Sequence, residues 1–151
     1  MRPKTLLALL GIGAGLLAAP VAEAACNIST TAVTFGTYNV FQGAPDDAAG
    51  QVTFQCTMFE LFVRIDLDRG GAPSFYPRQM RQGSEILTYN LYRDASRNTI
   101  WGDGTGGTQS YFQLFVPRNQ NINVPVYGRI PAGQDVSAGI YTNTVTATIQ
   151  F

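Results

Sequence analysis

The chain has 151 residues and a balanced charge, 10 Lys plus Arg against 10 Asp plus Glu, with no histidine. That balance leaves no basic stripe to hold nucleic acid. Without histidine there is no Ser-His-Asp or Cys-His arrangement, and the commonest metal ligand is missing. The length allows one domain around one modest core.

The first stretch reads as a signal peptide. Arg2 and Lys4 form a basic start, an apolar run extends from Leu6 to about Ala19, and Ala22 and Ala24 supply the small residues of a cleavage site. A membrane-spanning helix needs about 20 apolar residues, and this run is shorter and broken by Gly11, Gly13, Gly15 and Pro20. Cleavage is expected after Ala24, giving a signal peptide over 1–24, a domain over 25–151 and no stable membrane insertion after processing. The two cysteines of that domain, Cys26 and Cys56, read first as a disulfide in an exported chain. Closing a loop of about 30 residues stabilises by roughly 3–4 kcal/mol in the chain-entropy model. The rival reading is a lipid on Cys26, against which Glu23 stands where a lipoprotein signal carries an aliphatic residue.

Strand-like runs follow in order: AVTFGTYNV, GQVTFQCT, LFVRIDLD, LTYNLYRD, YFQLFVP, INVPVYGRI and the terminal IYTNTVTATIQF. Between them lie QGAPDDAAG, RGGAPSFYP, GDGTGG and PAGQDVSAG, whose Gly, Pro, Asp and Ser are turn chemistry. About seven short strands with such punctuation predict an all-β, antiparallel sandwich. Val33, Phe35, Tyr38, Val52, Phe54, Phe62, Ile65, Leu87, Leu91, Phe112, Leu114, Val126 and Ile149 are its core candidates. The terminal run is the most regular. Tyr141, Asn143, Val145, Ala147, Ile149 and Phe151 share one face, and threonines with Gln150 occupy the other. Asn143 is the one polar residue on the apolar face. A strand ending at Phe151 gains no later hairpin partner, so one neighbour is expected to come from elsewhere.

Candidate chemistry is sparse. Asp66 and Asp68 have the skip of a calcium loop but lack its third oxygen ligand, its glycine and its distal Glu. WGDGTGG lacks the Lys-Ser/Thr end of a phosphate loop and reads as a connection with Trp101 on its shoulder. Asn27-Ile28-Ser29 matches a glycosylation acceptor, a match that arises easily by chance. Phe41, Phe75 and Tyr76 lie in loops, where they either tuck over the ends of the sandwich or serve surface adhesion. No catalytic residue, cofactor site or metal site is expected.

Cys26 with VTFGTY, Cys56, RQM, LTYNLYRDAS, WGDG, VYGRI and GIYTNTVTATIQF together resemble the spore coat protein U domain family, which includes archaic chaperone-usher pilins. The resemblance implies an immunoglobulin-like sandwich that lacks its last strand and is completed by donor-strand addition. The implied partners are a periplasmic pilus chaperone, an usher and neighbouring pilin subunits. Val145, Ala147, Ile149 and Phe151 are the implied apolar side of the acceptor groove. Only Ala25 precedes Cys26 after the expected cleavage, so the chain is expected to accept a strand without donating one, as a fibre-tip subunit in adhesion or biofilm formation does. The implied route is export through the periplasm to the cell surface, a fimbrium or an extracellular coat. The alternative is a secreted spore-coat or matrix protein that folds without an usher. A small secreted enzyme or sugar-binding domain is the third reading.

Overall fold

The computed structural model describes residues 25–151; the leader read over 1–24 lies outside the described residues. Eight strands follow in chain order: β1 (Cys26–Thr31), β2 (Asp46–Cys56), β3 (Glu60–Leu67), β4 (Arg78–Gln82), β5 (Glu85–Tyr92), β6 (Tyr111–Val116), β7 (Ile122–Ile130) and β8 (Ala147–Gln150). They form a five-stranded sheet in the order β1-β2-β7-β5-β4 and a three-stranded sheet in the order β6-β3-β8. All strand pairs are antiparallel. The all-β class and the incomplete immunoglobulin-like sandwich are therefore as expected: the two sheets share one core but do not close on each other along one side.

Period-2 alternation explains the core. Val52, Phe54 and Cys56 of β2, Val63, Ile65 and Leu67 of β3, and Val124, Val126 and Ile130 of β7 are buried, while their neighbours along each strand are more exposed. Cys26 opens β1 directly opposite Cys56, and the two are joined in a disulfide with S–S 2.02 Å. The bond ties an edge strand to its neighbour.

Several expectations are corrected. Residues 32–40 form no strand, and the terminal run is regular only over β8. β1 and β4 are additional strands. Phe62, Phe112 and Leu114 lie on the outside of the three-stranded sheet rather than in the core. Trp101 is fully buried instead of standing on a hairpin shoulder, and its indole Nε1 donates to the Ile65 carbonyl at 2.9 Å. Phe75 is buried, whereas Phe41 and Tyr76 are exposed.

The loops at one end of the core are organised by Arg78, which is fully buried and charged. Its guanidinium donates twice to the Asp68 carbonyl (3.0 and 2.9 Å), once to the Trp101 carbonyl (2.7 Å) and once to Asn90 Oδ1 (3.0 Å). It also sits 5.0 Å from the centre of the Phe75 ring. Burial pulls its pKa down to about 10, which leaves it protonated at neutral pH. Asn90 continues the network by donating to the Phe75 carbonyl at 2.7 Å. A buried cation held by carbonyls is costly to remove, because each oxygen it served is left without a donor. Arg78→Met is expected to cost roughly 3–5 kcal/mol and to lower the melting temperature by roughly 10–20 °C, with Arg78→Lys recovering part of the loss. Thermal unfolding followed by circular dichroism checks this.

Candidate functional site: an open apolar groove

The unclosed side of the sandwich is a groove of about 1090 Å³. Leu67, Met80, Leu87, Leu91, Val126 and Ile130 reach its floor, so the groove opens directly onto the core. Residues 30–41 form one wall and residues 136–145 with Ala147 form the other. Among the described residues, no charged one lines it.

The terminal run makes the second wall by changing sheets. Thr142 exchanges backbone hydrogen bonds with Arg81 of β4, at 2.9 and 3.2 Å. Four residues later the Asp68 amide donates to the Thr146 carbonyl and the Thr146 amide to Asp68 Oδ1, each at 3.0 Å. β8 then pairs with β3 from Leu67↔Ala147 to Arg64↔Gln150. Among the described residues, the backbone of 143–145 makes no backbone hydrogen bond. Asn143, the polar residue on the apolar face, donates from Nδ2 to the Tyr89 hydroxyl at 2.9 Å. Burial pushes the Tyr89 phenol up, which keeps it neutral beside the groove.

Past the end of β1, residues 32–38 of the first wall are held by side chains. Val33 and Phe35 cross the inner face of the five-stranded sheet over Gly50 of β2 and Gly128 of β7. A Cβ at Gly128 would lie 2.6 Å from both Phe35 and Val33, and one at Gly50 would lie 2.6 Å from the Thr31 carbonyl. The glycines are the notches that admit this wall. Phe35 meets Tyr89 edge to face at 6.0 Å. The Tyr38 hydroxyl donates to the Pro131 carbonyl (3.1 Å) and accepts from the Gln134 amide (3.0 Å), fixing the far end. Among the described residues, the backbone of 32–38 makes no backbone hydrogen bond.

Of the residues read from the sequence as the groove's apolar side, Val145 and Ala147 line it. Ile149 is half-buried against the core beyond it, and Phe151 is exposed at the chain end. Sequence reasoning missed the wall role of Val33, Phe35 and Tyr38, which it placed in the core. The signal available was Gly50 and Gly128 inside alternating strands, since a strand glycine marks a close approach. Among the described residues, no cluster of His, Cys, Asp or Glu could hold a metal ion. Among the described residues, no helix is long and apolar enough to cross a membrane.

Gly128→Val is expected to push Phe35 and Val33 off their notch at a cost of roughly 1–3 kcal/mol. Chymotrypsin should then cut faster after Phe35 and Tyr38, while Thr53→Val, on the outer face of β2, should leave the rate unchanged. Limited proteolysis with mass spectrometry checks both.

Comparison with known proteins places this fold. Residues 13–148 match the family model described as Spore Coat Protein U domain. Protein U of Myxococcus xanthus is 35% identical over 144 residues, covering 84% of this chain and 78% of that protein. Among solved structures, a chain in the CsuC-CsuE chaperone-tip adhesion subunit pre-assembly complex, from archaic chaperone-usher Csu pili of Acinetobacter baumannii, superposes with a TM-score of 0.59 at 23% identity. That alignment covers 85% of this chain and 40% of the solved one, so the chain spans well under half of that length. With nearly the whole described domain inside the family match and an open sandwich as its fold, the chain belongs to the spore coat protein U domain family.

Proposed function

We propose that this protein is a non-enzymatic structural subunit of a chaperone-usher surface fibre. Its groove takes an extended strand, first from a periplasmic pilus chaperone and then from a neighbouring subunit. One observation carries the reading: an uncharged groove that opens onto the core lies between two walls whose backbone at 32–38 and 143–145 lacks backbone partners among the described residues. Extended chain satisfies both demands, since its main chain pairs with a wall and alternate side chains enter the floor. Val145 and Ala147 are the apolar contacts on the terminal wall, with Ile149 and Phe151 continuing them past the groove. Residues 1–24 direct export, and the mature domain begins near Ala25. A place at the fibre tip, in adhesion or biofilm formation, is supported by the likeness to a structure whose complex contains a tip adhesion subunit.

A second reading rests on the match to Protein U: a secreted coat or matrix protein whose groove is closed without an usher. The two differ in what accompanies the protein in the periplasm.

Co-expression with a periplasmic pilus chaperone and purification from periplasm tests the first reading. A one-to-one complex is expected, and Val145→Asp should prevent it by placing a carboxylate in the uncharged groove. A peptide of alternating apolar residues at 100 times its Kd should stabilise the chaperone-free protein by about 2.7 kcal/mol. A chaperone-free monomer that accumulates normally and ignores such peptides would refute the reading.

A further inference from the structure

The groove is not the only uncovered apolar feature. At the far side of the three-stranded sheet, β6 (YFQLFV) is an edge strand with no charge and no proline among its six residues. Natural edge strands are guarded by charge, proline or brevity, because a bare edge templates pairing with another chain. Here the charges sit one strand inward, on Arg64 and Asp66 of β3, which bond to each other at 2.9 Å.

The outer face beside this edge is apolar at its Phe62–Leu114 end, with Arg64 opposite Phe112. Phe62 and Phe112 stack at 5.7 Å with their planes 6° apart, and Leu114 lies directly opposite Phe62. Phe115 has φ +54°, a left-handed conformation that a bulky residue disfavours. That turn leaves Leu114 and Phe115 both exposed while Val116 returns to the core. Leu61, Phe62, Phe112, Leu114 and Phe115 are between 44% and 66% exposed, with Phe59 beside them at 54%.

We infer that β6 pairs with β6 of a second copy of this chain, antiparallel and about a two-fold axis at Gln113, joining two three-stranded sheets into one. Two observations point to a copy. An unpaired strand edge calls for a strand. A strand without charge can face itself with no like charges opposed, and an axis at Gln113 sets each Phe112 across from the other copy's Leu114, both on the outer face. Pairing along the edge sets the Phe112 and Leu114 side chains of the two copies against each other, while Phe62, one strand inward, stays on the outer face. The contact is isologous, and it closes at two copies. It lies on the opposite side of β3 from β8, so its failure would leave the reading of the groove untouched.

Sedimentation of the protein purified from cells expressing the full chain tests this. A species of about twice the monomer mass is expected. Leu114→Lys should raise the dimer dissociation constant at least tenfold, about 1.4 kcal/mol, with unchanged circular dichroism and melting temperature. Gln113→Cys, at the axis, should give a disulfide-linked dimer on a non-reducing gel, and Thr148→Cys, on the outer face of β8, should not. A protein that stays monomeric to high micromolar concentration overturns the inference. So does a dimer that Leu114→Lys leaves intact, one that Val145→Asp dissolves instead, or a β6 edge occupied by a different protein or by a lipid or solid surface in place of the second copy.

Discussion

Backbone hydrogen bonding constrains this structure more than any side-chain contact. A peptide group taken out of water needs a partner, and sheets supply partners only to strands that have neighbours on both sides. The terminal run solves this on one side by changing sheets, bonding to β4 at Thr142 and to β3 from Thr146 onward. The change of partner cannot occur without a gap. Residues 143–145 bridge it, and they are the ones left without backbone bonds. The groove follows from that geometry, because a strand spending one side on two sheets has its other side facing the space between them.

The opposite wall is built by a different device. Residues 32–38 have no ladder to hold them, so Val33 and Phe35 drop onto Gly50 and Gly128, and Tyr38 is fastened to the turn at Pro131 and Gln134. Side-chain anchoring fixes position while leaving the main chain unengaged. A wall of this kind can gain a ladder later without first breaking one. The floor beneath is continuous with the core, so the free energy of covering it is that of ordinary apolar burial, about 25 cal/mol per Å².

Much of this was legible in the sequence where one face of a strand is buried. Alternation in 50–57, 61–68 and 122–130 places Val52, Phe54, Ile65 and Val126 correctly, because each faces a full core across the sheet. The same alternation misled for Phe62, Phe112 and Leu114. Periodicity reports that a strand has an apolar face, but not which face of a two-sided sheet the core occupies. β1 was obscured because CNISTT carries little apolar signal and owes its position to the disulfide and the ladder with β2. Arg78 was illegible for another reason: a buried cation is identified by its acceptors, and these are main-chain carbonyls at Asp68 and Trp101 that a sequence does not display. In the terminal run the alternation was read correctly but its cause was not. Asn143 interrupts the apolar face where the chain changes sheets, and its amide is bonded to Tyr89.

The placement of charge separates the protein's surfaces more sharply than hydrophobicity does. Asp47 with Arg129 and Arg97 occupies the outer face of the five-stranded sheet, where the ion pairs lie at 2.7 and 3.2 Å. Hydrogen bonding to Arg129 holds the Asp47 carboxyl below the usual carboxylate range, so that face keeps its pairing at any pH where carboxylates are ionised. Arg64 and Asp66 mark the solvent side of β3. Among the described residues, the groove lining and β6 both lack charge and both combine an apolar surface with a strand edge that has no neighbour. Their shapes differ in a way that separates their partners. The groove is concave and floored by core side chains, which suits a single inserted strand whose side chains fill pockets. The β6 edge is backed by an outward apolar face with no pockets, which suits a partner that extends the sheet and brings an equally apolar face of its own. The groove and the β6 edge are thus of opposite character, and neither can substitute for the other.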